Sequence, residues 1–175
     1  MHSIAESHFP LNSQTLLVHG GRDPGRFAGM VNTPVHRGST ILSNTMDEWE
    51  SRKLPDNPMA SYGRFGTPTT RSFETLICNL EGGHRSMAFP SGLSACTHAL
   101  LAFLKQGDHV LVTDSVYGPT RSFVTKFLGR MGITATFFDP AASANIREFI
   151  QPNTRVVFLE SPGSWTFEMQ DIPAI

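Results

Sequence analysis

Residues 109–113, His-Val-Leu-Val-Thr, form an apolar, β-branched run that predicts a buried strand. Similar runs at 133–138 (ITATFF) and 155–159 (RVVFL) predict two further strands. A helical pattern opened by proline at 119–131 and a shorter one at 144–150 lie between them. Strands that alternate with helices in this way form βαβ crossovers. The chain is therefore predicted to be an α/β protein with a mainly parallel sheet and helices on both faces.

The residues that follow two of these strands are candidates for a ligand site. In open parallel sheets, ligands bind beyond the carboxyl ends of the strands. That rule places 113–117 (TDSVY) and 160–164 (ESPGS) on a functional rim. The ring of Tyr117 can stack on a flat heterocycle there, although a packing role is the commoner one for a single tyrosine. For the carboxylates of Asp114 and Glu160, capping and structural roles are favoured over catalysis.

Upstream of the first strand, residues 89–95 (FPSGLSA) read as a turn that feeds a helix. Ser91 and Ser94 can cap the free amides of the first helical turn, and Gly92 allows the backbone to approach a ligand. A helix N-terminus of this kind suits a phosphate, but ordinary capping explains the same residues. The helix that follows is apolar through Leu104 and is expected to be buried on several sides.

A second candidate loop lies at 61–69 (SYGRFGTPT), where glycines and a proline enclose a tyrosine and an arginine. Arg64 offers a planar, permanently charged fork and Tyr62 a hydroxyl, a pair that suits a phosphate. A surface turn with an incidental arginine is the alternative. The helix that follows is predicted to be capped by Thr69 or Thr70.

Residues 1–60 are rich in Gly, Pro, Ser, Thr and Asn and read as an extended arm. Residues 19–22 are interpreted as a turn, while 31–35 and 37–41 are predicted to be extended because Pro and Gly disfavour helix there. An arm with so few apolar residues needs another surface to lie on, which suggests a partner subunit.

Composition narrows the remaining function classes. The net charge is −1 and 17% of the residues are charged, so no nucleic-acid partner is indicated. Cys78 and Cys96 are predicted to be buried free thiols, and neither they nor the histidines show metal-ligand spacing. The absence of a signal-like start and of a membrane-length apolar run leads us to expect a cytoplasmic protein without membrane contact.

The candidate segments belong to a longer series of motifs that runs in one order along the chain. The series is YGRFGTPT at 62–69, LEGG at 80–83, FPSGLSA at 89–95, GDHV at 107–110, Tyr117, and FLESPGS at 158–164. In this order and spacing the chain resembles the cysteine and methionine metabolism family of pyridoxal-phosphate enzymes. The resemblance implies an N-terminal arm (1–60) followed by part of the large domain of a fold-type I, aspartate aminotransferase-like enzyme (61–175).

The resemblance also implies a cofactor site. Pyridoxal phosphate would be held through its phosphate by the backbone amides of Gly92 and Leu93, and by Tyr62 and Arg64 of a neighbouring subunit. Tyr117 would stack on the cofactor ring and assist the substrate amine. The implied partners are a small amino-acid substrate and further copies of the chain, in a homotetramer built from dimers.

Within the family, the ESPGS form of residues 160–164 resembles the carbon–sulfur β-lyase branch, since many γ-synthases and γ-lyases carry an asparagine after the proline. Such an enzyme cleaves cystathionine to homocysteine, pyruvate and ammonia in methionine biosynthesis. Cystathionine γ-synthase, cystathionine γ-lyase and methionine γ-lyase remain alternatives. A noncatalytic phosphate-binding or assembly fragment is an alternative of another class.

The lysines of the sequence are Lys53, Lys105 and Lys126, and none lies in the family's motif for the lysine that binds the cofactor as a Schiff base. The sequence ends at Ile175, before that motif is expected. We therefore expect the chain to represent the N-terminal part of an enzyme and to be inactive by itself.

Overall fold

The computed structural model describes residues 12–54, 57 and 60–175. Parts of the predicted arm, residues 1–11, 55, 56, 58 and 59, lie outside the described residues. The chain forms two compact units, Met1–Ala88 and Phe89–Ile175, which are treated separately below. The predicted division into an arm at 1–60 and a domain at 61–175 stays a prediction.

The described part of the first unit is built from short helices joined by extended chain. The elements are α1 (Ser13–His19), a 3₁₀ turn (Pro24–Phe27), α2 (Met46–Ser51), a second 3₁₀ turn (Gly63–Phe65) and α3 (Pro68–Leu80). The turn predicted at residues 19–22 is observed, and 31–41 is free of helix, as expected. The prediction of an extended arm is wrong at α1 and α2.

These two arm helices form because their first turns are capped. Asn12 Oδ1 accepts a hydrogen bond from the Thr15 amide at 2.8 Å, and Thr45 Oγ1 accepts one from the Glu48 amide at 3.1 Å. Each bond satisfies an amide that has no intrahelical partner. Helix α1 also packs on α3, so part of its stability comes from a contact that is distant in sequence.

Helix α3 begins earlier than predicted. Its N-cap is Thr67, with proline at the first helical position, and the Thr67 amide donates to Thr70 Oγ1 at 2.8 Å. The prediction that Thr69 or Thr70 caps the helix is therefore wrong. The Thr69 hydroxyl instead donates to the Pro34 carbonyl at 2.8 Å, so Thr69 ties the extended segment to the helix.

The second unit contains the predicted parallel sheet. Its elements are α4 (Gly92–Phe103), β1 (His109–Thr113), α5 (Gly118–Ser122), a π-helical continuation (Phe123–Leu128), β2 (Thr134–Phe138), a 3₁₀ segment (Pro140–Phe149) and β3 (Thr154–Phe158). The strand order is β2-β1-β3, and both neighbours of β1 run parallel to it. The α/β prediction is confirmed. The short helix expected at 144–150 is instead the longer 3₁₀ segment.

Two clusters of buried side chains cover opposite faces of this sheet. Val110 and Val112 of β1 pack with Leu100 of α4 and Leu128 of the π-helical segment. On the other face, Leu111 packs with residues that follow β2 and β3. Because neighbouring strand residues point to opposite faces, β1 is buried on both sides. The expected helical cover on both faces is confirmed.

Helix α4 is less buried than the sequence predicts. Leu100 is the buried residue within Gly92–Phe103, and Leu104 at the C-cap is buried too, whereas Phe103 is 73% exposed. The expectation of burial on several sides is therefore wrong for the described chain, because α4 meets the sheet along one side. Cys78 and Cys96 are free thiols, as predicted, but are half-buried rather than buried.

Two further predictions concern a membrane-spanning segment and a metal site, and both can be examined among the described residues. No helix among them is long and apolar enough to cross a membrane. In the same part of the chain, no group of three or more His, Cys, Asp and Glu side chains is placed to hold a metal ion.

Candidate functional site

The loops after β1 and β3 meet at the carboxyl edge of the sheet. The Ser164 amide donates to the Ser115 carbonyl at 2.8 Å, and the Tyr117 amide donates to Glu160 Oε2 at 3.0 Å. The sequence rule that placed 113–117 and 160–164 on one rim is thus met by two hydrogen bonds that join them. Glu160 makes a backbone contact here, in agreement with the structural role favoured for it.

Tyr117 is the last residue of the loop that follows β1. It is the N-cap of α5, and its side chain is 46% exposed. Within the described part of the chain no hydrogen bond to its hydroxyl is observed. Both the ring face and the hydroxyl are therefore available to a ligand, which is the property that stacking requires.

Arg121, one turn further along the helix, holds the start of the same loop. Its guanidinium donates to the Asp114 carbonyl at 2.7 Å, forms an ion pair with the Asp114 carboxylate, and lies 4.0 Å from the centroid of the Phe137 ring. Asp114 thus anchors an arginine rather than capping a helix. The sequence pattern did not indicate Arg121, because its partners lie in other elements.

The loop after β3 is shaped by a close approach of two backbones and by a buried glutamine. The Gly163 amide donates to the Glu168 carbonyl at 2.9 Å. Gln170 is 7% exposed; its amide donates to Ser161 Oγ at 2.9 Å and its side chain donates to the Glu160 carbonyl at 2.6 Å. Gln170 was missed at the sequence level because a glutamine alone carries no pattern.

The predicted phosphate turn is an N-terminal helix cap. Ser91 is the N-cap of α4, and its Oγ accepts from the Ser94 amide at 3.1 Å. The amides of Gly92 and Leu93 belong to the first turn, where the helix offers them no acceptor. A Cβ atom on Gly92 would meet no atom of the chain within 4 Å. The turn therefore presents two free amides beside open space, an arrangement that suits an anion.

Helix α4, which this turn begins, contacts α5, the helix that Tyr117 caps. Residues 104–108 join the end of α4 to the start of β1. The rule for parallel sheets predicts that Gly92, Leu93 and Tyr117 share one edge of the second unit, and this stays a prediction.

The other two predicted site residues, Tyr62 and Arg64, lie together in the first unit. The Gly63 amide between them donates to the Ser39 carbonyl at 2.7 Å, and a Cβ atom on Gly63 would lie 1.9 Å from the Gly38 carbonyl oxygen. The loop thus needs glycine to pack against the extended segment. Both side chains are exposed, and Arg64 Cζ lies 5.7 Å from the centre of the Tyr62 ring.

Comparison with known proteins gives one family and several relatives. The family model described as "Cys/Met metabolism PLP-dependent enzyme" matches residues 14–175. A cystathionine beta-lyase of Salmonella typhimurium is 44% identical over 163 residues, which cover 92% of this chain. The chain spans 41% of the length of that relative.

Solved structures give the same grouping. A putative O-acetylhomoserine (thiol)-lyase of Campylobacter jejuni, which carries a pyridoxyl-lysine monophosphate, superposes with a TM-score of 0.84 at 26% identity, over 93% of this chain and 40% of the other. A cystathionine gamma-lyase of Lactobacillus plantarum, complexed with L-serine, gives a TM-score of 0.80 at 30% identity, over 94% of this chain and 40% of the other.

Proposed function

This chain belongs to the Cys/Met metabolism family of pyridoxal-phosphate-dependent enzymes, and on that premise we propose that the protein is a cystathionine β-lyase. The proposed reaction cleaves cystathionine to homocysteine, pyruvate and ammonia, a step of methionine biosynthesis. The fold is that of part of a fold-type I enzyme. The observation that carries the choice of substrate is the 44% identity to a β-lyase, together with the ESPGS sequence at 160–164.

The residues of the second unit fit the cofactor that this family uses. Pyridoxal phosphate, when bound, supplies an electron sink for bonds at the substrate α-carbon. The free amides of Gly92 and Leu93 are proposed to bind its phosphate, assisted by the positive end of the α4 dipole. The open space beside Gly92 supports this assignment, because a side chain there would fill the position of an anion.

Tyr117 is proposed to stack on the cofactor ring and to assist the substrate amine through its hydroxyl. The ring of Tyr117 is exposed at the rim, so its face is accessible for stacking on the cofactor ring. For the second role, the hydroxyl oxygen can accept a hydrogen bond from the substrate amine and so orient it. Because the hydroxyl forms no bond within the described residues, it is free to do so.

Tyr62 and Arg64 are proposed to complete the phosphate site of a neighbouring subunit. The exposed guanidinium supplies a charged fork and the tyrosine a hydroxyl donor, which are the groups that recognise a phosphate. This assignment requires at least a dimer, and we propose a homotetramer built from dimers. We also propose a cytoplasmic location, in keeping with the free thiols of Cys78 and Cys96.

None of the lysines of this sequence is proposed to bind the cofactor covalently. Lys53 is paired with Glu50 and lies 3.3 Å from the centre of the Trp49 ring. Lys105 follows the C-terminal end of α4 and Lys126 lies in the π-helical segment, so neither belongs to the rim loops at 113–117 and 160–164. The proposal therefore assigns phosphate binding and ring stacking to this chain, and leaves covalent attachment unassigned.

The test is an assay of the full-length protein with L-cystathionine. A β-lyase releases homocysteine and pyruvate, whereas a γ-lyase releases cysteine and 2-oxobutyrate, so identification of the keto acid separates them. The γ-lyase is kept as a second candidate because of the 30% identity to the Lactobacillus structure. Pyruvate formation that depends on added pyridoxal phosphate is the expected result. Cofactor binding with neither keto acid formed would overturn the proposed activity.

A further inference from the structure

We infer that Glu160 is a positioning residue for Tyr117: its carboxylate holds the Tyr117 backbone amide and thereby sets where the tyrosine ring stands on the rim. This inference rests on the proposed function, in which that ring contacts pyridoxal phosphate. It assigns to Glu160 an effect on the cofactor that acts through Tyr117.

The bond between the two residues joins parts of the chain that are distant in sequence. Glu160 Oε2 accepts the Tyr117 amide at 3.0 Å, across 43 residues. Tyr117 is the N-cap of α5, so the carboxylate also lies at the positive end of a helix that the π-helical segment continues to Leu128. A hydrogen bond that a carboxylate accepts is stronger than one to a neutral acceptor.

Glu160 is itself firmly held. Its carbonyl accepts the Gln170 side chain at 2.6 Å, and the next residue, Ser161, accepts the Gln170 amide at 2.9 Å. Since Gln170 is buried, the backbone that carries the carboxylate is fixed to the interior of the loop. Glu160 can therefore transmit the position of the β3 loop to Tyr117.

The other contacts of the β1 loop act further from the ring. Arg121 donates to the Asp114 carbonyl, three residues before the tyrosine. The Ser164 amide donates to the Ser115 carbonyl, two residues before it. Among the described residues, the hydrogen bond to Glu160 is the one tertiary bond made by Tyr117 itself. We expect its loss to leave the loop in place and to free the backbone torsions next to the ring.

The experiment uses the full-length protein loaded with pyridoxal phosphate. The variants are Glu160→Ala, which removes the acceptor, and Glu160→Gln, which keeps an amide oxygen in place of the carboxylate. The matched control is Glu168→Ala, because Glu168 is exposed and its carboxylate bonds Thr166 within its own loop. The readouts are the cofactor dissociation constant, the near-visible circular dichroism per bound cofactor, and the melting temperature.

We expect Glu160→Ala to raise the dissociation constant about tenfold, as for loss of one charge-assisted hydrogen bond, and to change the circular dichroism band. Glu160→Gln is expected to restore most of the band and to bind within roughly threefold of the parent, since a neutral acceptor retains part of the bond. Glu168→Ala should leave both readouts unchanged. A parent-like band in Glu160→Ala, or a band in Glu160→Gln as altered as in Glu160→Ala, would overturn the inference.

Two further variants keep the result interpretable. If Glu160→Ala does not fold, Glu160→Asp replaces it, because the shorter side chain withdraws the oxygen while keeping the charge; a parent-like band then overturns the inference. Tyr117→Ala tests the proposed role of the tyrosine separately from the positioning role of Glu160. Unchanged cofactor binding and band in Tyr117→Ala contradict the proposed role of the tyrosine. A changed Tyr117→Ala with a parent-like Glu160→Ala contradicts the role of Glu160 alone.

Discussion

Gly163 approaches Ser115 so closely that a Cβ atom added to the glycine would lie 2.6 Å from the Ser115 hydroxyl oxygen. Next to this contact, the Ser164 amide donates a hydrogen bond to the Ser115 carbonyl at 2.8 Å. The two rim loops therefore meet at a position where the loop after β3 carries a glycine and so has no side chain. This junction determines how the residues that follow β1 and β3 face each other.

Substitution of Gly163 by alanine is expected to destabilise the protein by about 1–3 kcal/mol, because the new methyl group overpacks the junction. Urea unfolding followed by fluorescence measures the change. Gly129→Ala is the control, since a Cβ atom there meets no atom within 4 Å and its backbone is helical. Equal stability of Gly163→Ala and the control would contradict the close contact.

Substitution of Gly92 by alanine is expected to weaken cofactor binding without destabilising the protein. The added Cβ meets no atom of the chain within 4 Å, and alanine in a helix lowers the entropy of the unfolded state, so stability should be unchanged or higher by up to about 1 kcal/mol. The affinity for pyridoxal phosphate should fall, because the methyl group enters the space proposed for the phosphate. Fluorescence titration with the cofactor, beside thermal melting, tests both parts. Parent-like affinity would argue against a phosphate beside Gly92.

The sequence predicted the sheet well because the strands carry local signals. The run at 109–113 became β1 with the predicted bounds, since its β-branched residues are buried on both faces. The start of α3 was misplaced because the Thr67 cap depends on the Thr70 hydroxyl bonding back to the Thr67 amide, and threonines occupy several neighbouring positions. Helix α1 was missed because part of its stabilisation comes from packing on α3.

The candidate site was predictable as a set of motifs but not as a set of contacts. The rim position of Tyr117 followed from the general rule for parallel sheets. Its hydrogen bond to Glu160 joins residues 43 positions apart, and no local pattern encodes such a pairing. Gln170 and Arg121 were missed for the same reason, since each acts on the backbone of a residue in another segment.

A hybrid of two variants tests whether Arg64 serves the neighbouring subunit. Arg64→Ala and Tyr117→Ala are each expected to lose most activity when assayed alone. In a mixed dimer, one site then carries both defects and the other carries neither. Statistical mixing of equal amounts should therefore restore roughly a quarter of the parent activity.

The mixing experiment needs unfolding and refolding of the two variants together, so that subunits exchange. Each variant refolded alone, then combined without exchange, is the control for simple addition of residual activities. If the co-refolded mixture is no more active than this sum, the prediction is contradicted. Arg64 and Tyr117 of one subunit would then serve the same site, or would not share any site.

We expect His109 to make the stability of the protein depend on pH. The imidazole is fully buried at the start of β1, with Nδ1 at 2.8 Å from Thr154 Oγ1 and Nε2 at 2.9 Å from Thr136 Oγ1. Burial lowers the pKa of His109 below its ordinary value of 6.5. The folded protein therefore favours the neutral ring, while the unfolded chain binds a proton near the ordinary pKa.

The sign of the effect follows from this difference. Well above pH 6.5 both states hold the ring neutral, and the stabilisation is fully present. As the pH falls through 6.5, the unfolded state binds a proton first, so the free energy of unfolding declines. His109→Asn should be less stable by about 1–3 kcal/mol at pH 8, because it cannot satisfy both threonines, and should show a shallower decline between pH 8 and 5. Urea unfolding of both proteins across that range measures the two slopes. Equal slopes would mean that other groups cause the decline, since the substitution removes the only titratable group that this explanation uses.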